Sequence, residues 1–483
     1  MEQKNNIILH PSLDIKDNVL VLGFRDKKFD EEKEKTVWNN IYLFATTEGE
    51  SYYLDIITNS YSNHEKYNDY NYIFEDKTDD KTRVLVDINS RWSREKFDHI
   101  ETDHIIDRRS PKQIYENIFK EVKEYLELEK EEDYHILTSW IIGTYFFLLF
   151  KAFPYLHIKG MKGSGKTTAL DFMRLACFNG FKERSTMPSF RDNVDSQRGT
   201  ALIDQADKRF GTQSEDDMID VMVDSYKASS GFISKMVPAK GKFVRTEYNA
   251  YCPKAFASTK ELHFDLRDRC IQIQFIRSSN NKNQIDSDNE KWLEIRDSLY
   301  QLLIRNYVRI KPYINEVENI ISQDTEIIGR MAELWKPIET IMRLCEQDEQ
   351  LINKIKNSFK VKNKFVEAGL SILETEIVKI INKELEGFDS KWLSSKDFTS
   401  LLIIDDGEWE EKTDRSKTQL IGNLITRLNL HSQKKHKNGG NYYLFEKEKI
   451  EKITNAYIDD IKEDIDLSPV VTSPNIVENK EEF

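Results

Sequence analysis

The residues whose types and spacing promise chemistry stand together from Gly160 to Thr168, in the run GMKGSGKTT. Gly160, Gly165, Lys166 and Thr167 make the G-x-x-x-x-G-K-T pattern, a glycine-rich turn whose backbone N–H groups can face a phosphate. In such a loop Lys166 neutralises the β- and γ-phosphates and Thr167 ligates magnesium, while Lys162, Gly163, Ser164 and Thr168 complete the cradle. The apolar run Tyr155 to Ile158 precedes the loop and the helical pattern ALDFMRLACF follows it, so the phosphates would meet a helix N-terminus. A chance Gly/Lys loop would lack that setting. ATP and Mg²⁺ are the expected cofactors.

A phosphate loop of this kind needs an acid on a neighbouring strand. GTALIDQADK supplies it: Ala201 to Ile203 is the strand and Asp204 ends it. Many P-loop ATPases place a glutamate next, to polarise the attacking water. This chain has Gln205, which orients a water but cannot take its proton. Three explanations stay open: slow hydrolysis, Asp207 acting instead, or a chain altered to trap nucleotide.

The elements around this site follow from patterning. Residues 1–108 read as β-rich, with NVLVLGF, NNIYLFATT, SYYLDII and TRVLVDI separated by charged turns. Residues 109–345 read as an α/β core with a helical lead-in and lid. The lead-in opens at Ser110-Pro111, a cap and a proline at the first helical position, and a second helix is expected over 134–150. A charged linker at 346–365, a compact unit at 366–458 and an acidic, disordered tail at 459–483 complete the chain. With 483 residues there is room for about three domains. The balance of 71 Lys and Arg against 84 Asp and Glu gives a net charge of −13 and excludes a uniformly basic coat. The four cysteines (Cys177, Cys252, Cys270, Cys345) are too scattered for a disulfide framework or a zinc site. The N-terminus lacks a signal pattern, and the longest apolar run, Trp140 to Phe150, is about half a membrane span. A cytoplasmic protein without membrane contact is expected.

The order PSFRDNVDSQRGTALIDQADK, YCPKAFASTKEL, LRDRCIQIQFIR resembles the AAA+ core of replicative helicases from mobile elements, of the superfamily-3 and MCM-like group. In particular it looks like the self-loading Rep-type helicases of staphylococcal pathogenicity islands. The resemblance covers about 110–345 well and 366–458 loosely, and departs from the family at Gln205. It implies a sensor at the polar end of AFAST, Ser258 with Thr259, on the third core strand. It implies an arginine finger at Arg267 or Arg269, reaching a neighbouring subunit's ATP, and a second sensor at Arg330. It implies a ring-forming homo-oligomer, with a hexamer expected, and 3′-to-5′ translocation on single-stranded DNA.

Two surfaces are expected to touch DNA. ISKMVPAKGKFVRTEY has β-prone arms around a turn-like tip, Pro238 to Lys242, and the resemblance points Lys240 and Lys242 into a central channel. The unit at 366–458 reads as a winged helix-turn-helix. Its third helix and two-stranded wing carry Arg415, Lys417, Arg427, Lys434, Lys435 and Lys437, with no acid from Arg415 to Phe445. Origin DNA, and a primase or polymerase, are the further partners expected. The rival readings are an AAA+ initiator or regulator that binds ATP with little helicase activity, and a small-molecule kinase.

Overall fold

The computed structural model describes residues 6–451, apart from 17, 31–34, 49–50, 59–65, 68–69, 75–85, 93–96, 98–108, 184–186, 211–216, 240, 279–281, 368–371, 403–412, 428–429 and 438–439. The tail expected at 459–483 lies outside the described residues. The chain divides into two units, Met1–Asn363 and Lys364–Phe483.

The first unit begins with strands β1 (Asn6–Leu9), β2 (Leu13–Lys16), β3 (Val19–Asp30), β4 (Lys35–Glu48), β5 (Ser51–Thr58), β6 (Lys66–Tyr67) and β7 (Tyr70–Phe74). β2 to β5 form a four-stranded antiparallel sheet in chain order, and β1, β7 and β6 form a small second sheet. These strands are not set apart at residue 108. Leu20, Leu22, Phe24 and Trp92 belong to the same buried cluster as Ile114 and Trp140. Trp92 lies flat on Tyr300 with ring centroids 4.6 Å apart.

Helix α1 (Pro111–Tyr125) starts as Ser110-Pro111 predicts. The Ser110 hydroxyl accepts from the Gln113 backbone N–H, and the Gln113 side chain accepts from the Ser110 backbone N–H. Helix α2 (Glu131–Gly143) stops seven residues short of the expected end. Thr144 turns the chain there: its hydroxyl donates to Ile141 O and accepts from Phe178 N. A short 3₁₀ turn at Phe147–Leu149 follows.

The central sheet is fully parallel. Its strands are β8 (Tyr155–Gly160), β9 (Phe181–Glu183), β10 (Ala201–Ile203), β13 (Lys254–Ser258) and β14 (Cys270–Phe275), in the order β14-β8-β13-β10-β9. Burial on both faces explains why these strands read as nearly continuous apolar runs. Between them lie α3 (Lys166–Ala176), α4 (Met187–Gln197), the short α5 (Asp207–Phe210), α6 (Asp217–Asp224) and α7 (Phe264–Arg267). A separate two-stranded hairpin joins β11 (Phe232–Ala239) to β12 (Lys242–Asn249). Helices α8 (Lys291–Asn306), α9 (Lys311–Gln323), α10 (Gly329–Leu344) and α11 (Glu349–Glu367) complete the unit. The stretch expected as a linker, 346–365, is mostly α11, which buries Ile352, Ile355 and Phe359 in the main core. Its charges had masked a helical apolar stripe.

The second unit runs α12 (Ile372–Glu384), β15 (Ser390–Ser394), α13 (Ser395–Leu401), α14 (Asp414–Arg427), β16 (Gln433–Lys437) and β17 (Gly440–Glu446). Its antiparallel sheet has the order β15-β17-β16. Ile377, Ile381, Phe398, Ile421, Ile425, Tyr443 and Phe445 form its own core.

Candidate nucleotide site and nucleic-acid surfaces

The phosphate loop leaves the carboxyl end of β8 and enters α3 at Lys166. Gly163 and Gly165 both have φ of +85°, where a side chain would be strained. Gly160 serves close packing instead, since a Cβ there would lie 2.6 Å from Phe275 O on β14. The Ser164 hydroxyl is buried without a partner among the described residues. A phosphate oxygen is the partner such a group fits. Lys166 folds back, its ammonium donating to Gly160 O at 2.6 Å and Met161 O at 2.8 Å. Burial lowers its pKa, and Asp204 and Asp207 oppose that. Lys162 and Gly163 are exposed on the loop and Thr168 is half-buried on α3.

Asp204 is not on the strand next to the loop, because β13 runs between β8 and β10. The two ends still converge: Thr167 Oγ1 lies 3.5 Å from Asp204 Oδ2. One hydroxyl and one carboxylate side by side suit a hard cation that keeps most of its waters, as Mg²⁺ does. Gln205 has a φ of +52°, unusual for a side chain. Its backbone N–H donates to Asp204 Oδ1, and its amide oxygen accepts from Lys208 Nζ at 2.5 Å. Asp207 starts α5, two positions on.

Ser258 differs from expectation. It ends the fourth strand of the sheet in chain order, because β9 was not foreseen, and it is buried. Its hydroxyl donates to Lys260 O and lies 2.7 Å from His157 Nε2. With its proton committed, the hydroxyl accepts from Nε2–H, and both its roles are filled inside the protein. Burial drives the His157 pKa down to about 4, so the ring is neutral. Its Nδ1 is buried and unpartnered among the described residues. The exposed hydroxyl at this strand end belongs to Thr259.

Two of the three arginines share one carboxylate, and the third sits on another. Arg267 faces Glu261 at 3.9 Å, and Glu261 also binds Lys159 at 2.6 Å. Burial would raise the Glu261 pKa, but Lys159 and Arg267 outweigh it and hold it low. Arg269 donates to Asp265 O at 2.5 Å and lies 3.8 Å from Asp268. Arg330, in the first turn of α10, shares Asp268 at 3.2 Å, pairs with Glu333, and lies over the Tyr226 ring. Arg330 is thus joined to Arg269 through one carboxylate.

A cavity of about 780 Å³ opens beside the loop, lined by Gly163, Gly165 and Thr168 together with Tyr125, Ile276, Arg277 and Ile285. Ile276 is unusually exposed for its type. Arg277 is exposed and has no ion pair with a described residue. Sequence reading missed both. Their place beside the loop depends on β14 pairing directly with β8, which no local pattern shows.

In the hairpin, Ala239 pairs with Lys242, which leaves two residues between the strands where a five-residue tip was expected. Gly241 supplies the φ of +79° that so short a connection needs. Lys242 is exposed, and Lys240 lies outside the described residues. At the hairpin base Arg191 on α4 stacks on the Tyr248 ring, and Asp195 accepts from Asn249 N.

In the second unit Arg415 is exposed and Lys417 half-buried at the start of α14; the Arg427 side chain is outside the described residues. All five residues of β16 are exposed. Lys434 Nζ lies 5.3 Å from the Tyr443 ring and Lys435 Nζ 3.6 Å from that of Trp392. Lysines on an edge strand also discourage pairing with other chains.

No family model matches this chain, and no curated protein does. Among solved structures it is similar to the apo A form of the NrS-1 C-terminal region, at 12% identity over 88% of this chain and 96% of that one, with a TM-score of 0.32. It is similar to a JCV helicase bound to a small molecule, at 12% identity over 58% and 74%, with a TM-score of 0.20. It is also similar to Cdc6p from Pyrobaculum aerophilum, at 9% identity over 71% and 98%, with a TM-score of 0.20.

Proposed function

We propose that this chain is a Mg²⁺-dependent ATPase that works as a ring-forming DNA helicase with initiator character, in the cytoplasm. The observation that carries the reading is the convergence of Lys166, Thr167 and Asp204 at the carboxyl edge of one parallel sheet. Thr167 and Asp204 would hold Mg²⁺, which would supply positive charge against the phosphates. Ser164 and the loop amides would hold the phosphates, Lys166 would leave its two carbonyls to meet them, and Asp204 with Thr167 would hold the metal.

The basic hairpin leaves the chain between β10, which Asp204 follows, and β13, which ends in Ser258. Motion at the phosphates would reach Lys240 and Lys242 through them, moving a single strand 3′ to 5′. Arg267 or Arg269 would act on a neighbouring copy's ATP, with Arg330 beside them, in a hexamer. The second unit, with the element order of a winged helix, would use Arg415, Lys417, Arg427, Lys434, Lys435 and Lys437 on origin duplex.

Gln205 favours a second reading, an ATP-binding initiator that turns over slowly, because an amide held by Lys208 is no base. The test is fork unwinding and ATP turnover by the full chain and by Lys166→Ala. Unwinding that needs ATP and fails in the variant supports the helicase. DNA binding with no unwinding by either supports the slow initiator.

A further inference from the structure

The register of the β11–β12 hairpin puts its exposed lysines on one face and the exposed Phe243 and Met236 on the other. Ile233, Lys235, Val237, Lys242, Val244, Thr246 and Tyr248 alternate onto one face, while Phe232, Met236, Pro238, Phe243, Arg245 and Glu247 point to the other. On the first face Thr246 and Tyr248 are buried, Lys235 is exposed directly across from Thr246, and Lys242 is exposed at the tip. On the second face the tip is apolar. Phe243 stands directly across from Pro238, and Met236 follows on the same side. Phe243 is 69% exposed, the most exposed large apolar side chain among the described residues, and Met236 is 55% exposed. The charges on that face satisfy each other: Arg245 donates to Ser234 at 2.8 Å and lies 3.5 Å from Glu247.

A bare aromatic at the tip of a projecting two-stranded hairpin is costly to leave in water, and folding gains nothing from it there. Its occupant must tolerate Lys235, Lys240, Lys242 and Arg245, a stretch with no acid. A single nucleic-acid strand meets both demands, because it carries phosphates along one edge and flat π surfaces along the other. A protein neighbour seated on Phe243 would leave Lys235 and Lys242, on the opposite face, without a counter-charge.

We infer that the hairpin divides one strand between its faces, with Phe243 stacking on a nucleobase beside Met236 and Pro238 while Lys242 and Lys235 hold phosphates. This rests on the reading that the chain acts on single-stranded DNA. It adds that the hairpin senses bases as well as backbone, without a hydrogen-bond code, so every base is accepted.

The test is binding of the full chain, with a non-hydrolysable ATP analogue, to oligo-dT and to an abasic strand of equal length. Phe243→Ala should weaken oligo-dT binding by about 5- to 150-fold and leave abasic binding unchanged, and Phe243→Trp should restore it. Lys242→Ala should weaken both strands alike and flatten the salt dependence by about 0.7 for each phosphate the protein no longer neutralises. Equal losses on both strands for Phe243→Ala would overturn the inference. So would normal oligo-dT binding with lost self-association by light scattering, which would mark Phe243 as a contact between copies. If the unaltered chain binds no strand, the helicase reading falls and this inference with it. If it binds strands without regard to Phe243, only the inference falls.

Discussion

At the scale of single residues, Gln205 is held by its neighbour rather than free to position a water. Lys208 grips its amide oxygen, and its backbone sits in the left-handed region. A carboxylate installed there would pair with the same ammonium and lose basicity. Gln205→Glu alone should therefore raise ATP turnover only modestly, and Gln205→Glu with Lys208→Ala should raise it further, towards the roughly 10²–10⁴-fold typical of a positioned base. Steady-state turnover of the three proteins decides this; no gain in the double variant would point to Asp207. His157 makes a different prediction. Its folded pKa of about 4 lies below the unfolded value near 6.5, so the unfolded chain binds the extra proton in between. Its contribution is complete above about pH 6.5 and is lost as pH falls towards 4, on the order of 3 kcal/mol in all. His157→Gln should flatten urea-unfolding stability across that window. An unchanged slope would mean that the ring titrates normally.

At the scale of elements, the phosphate-loop helix α3 is held at both ends. Its N-terminus follows directly on the glycine loop proposed to hold the phosphates. Its C-terminal carbonyls receive two arginines from distant parts of the chain. Arg91, beside the N-terminal strands, donates to Arg174 O at 2.9 Å and to Gly180 O, and Arg296 on α8 donates to Leu175 O at 2.8 Å and to Arg91 O at 3.1 Å. Cations there complement the helix dipole and fix the axis that carries Lys166 and Thr167. Arg91→Met should lower stability by about 1–3 kcal/mol, as buried charged hydrogen bonds do. It should also shrink the rise in melting temperature produced by Mg-ATP, whereas a purely structural loss would lower both melting temperatures and keep their difference. Thermal scans with and without nucleotide measure it.

At the scale of the whole molecule, the division after residue 363 separates two sets of tasks. Every residue assigned to phosphate, magnesium and hairpin chemistry lies in the first unit, and the basic strand β16 lies in the second. A chain ending at residue 363 should keep DNA-independent ATP turnover within about twofold, yet lose most duplex binding and its salt dependence. Filter binding across a salt series, beside turnover, checks both halves. Ending the chain at residue 345, the boundary the sequence suggested, should instead unfold it, because Ile352, Ile355 and Phe359 of α11 fill the main core.

The phosphate loop, the acid after Ala201 to Ile203, the basic hairpin and the basic β16 were all legible in the linear chain, because each depends on neighbours a few residues apart. Local chemistry fixes a glycine turn, a helix cap or a strand alternation whatever the rest of the molecule does. What depended on distant residues was not legible. No local pattern could say that β13 would come between β8 and β10, that His157 would occupy the Ser258 hydroxyl, or that Arg330 would share Asp268 with Arg269. Those pairings bring together side chains far apart in the chain, and burial of a common core chooses among them. The partition of the hairpin into a lysine face and an aromatic face lies between the two cases. Alternation is written in the sequence, but only the Ala239–Lys242 register decides which residues share a side, since a shift of one residue would exchange every one of them.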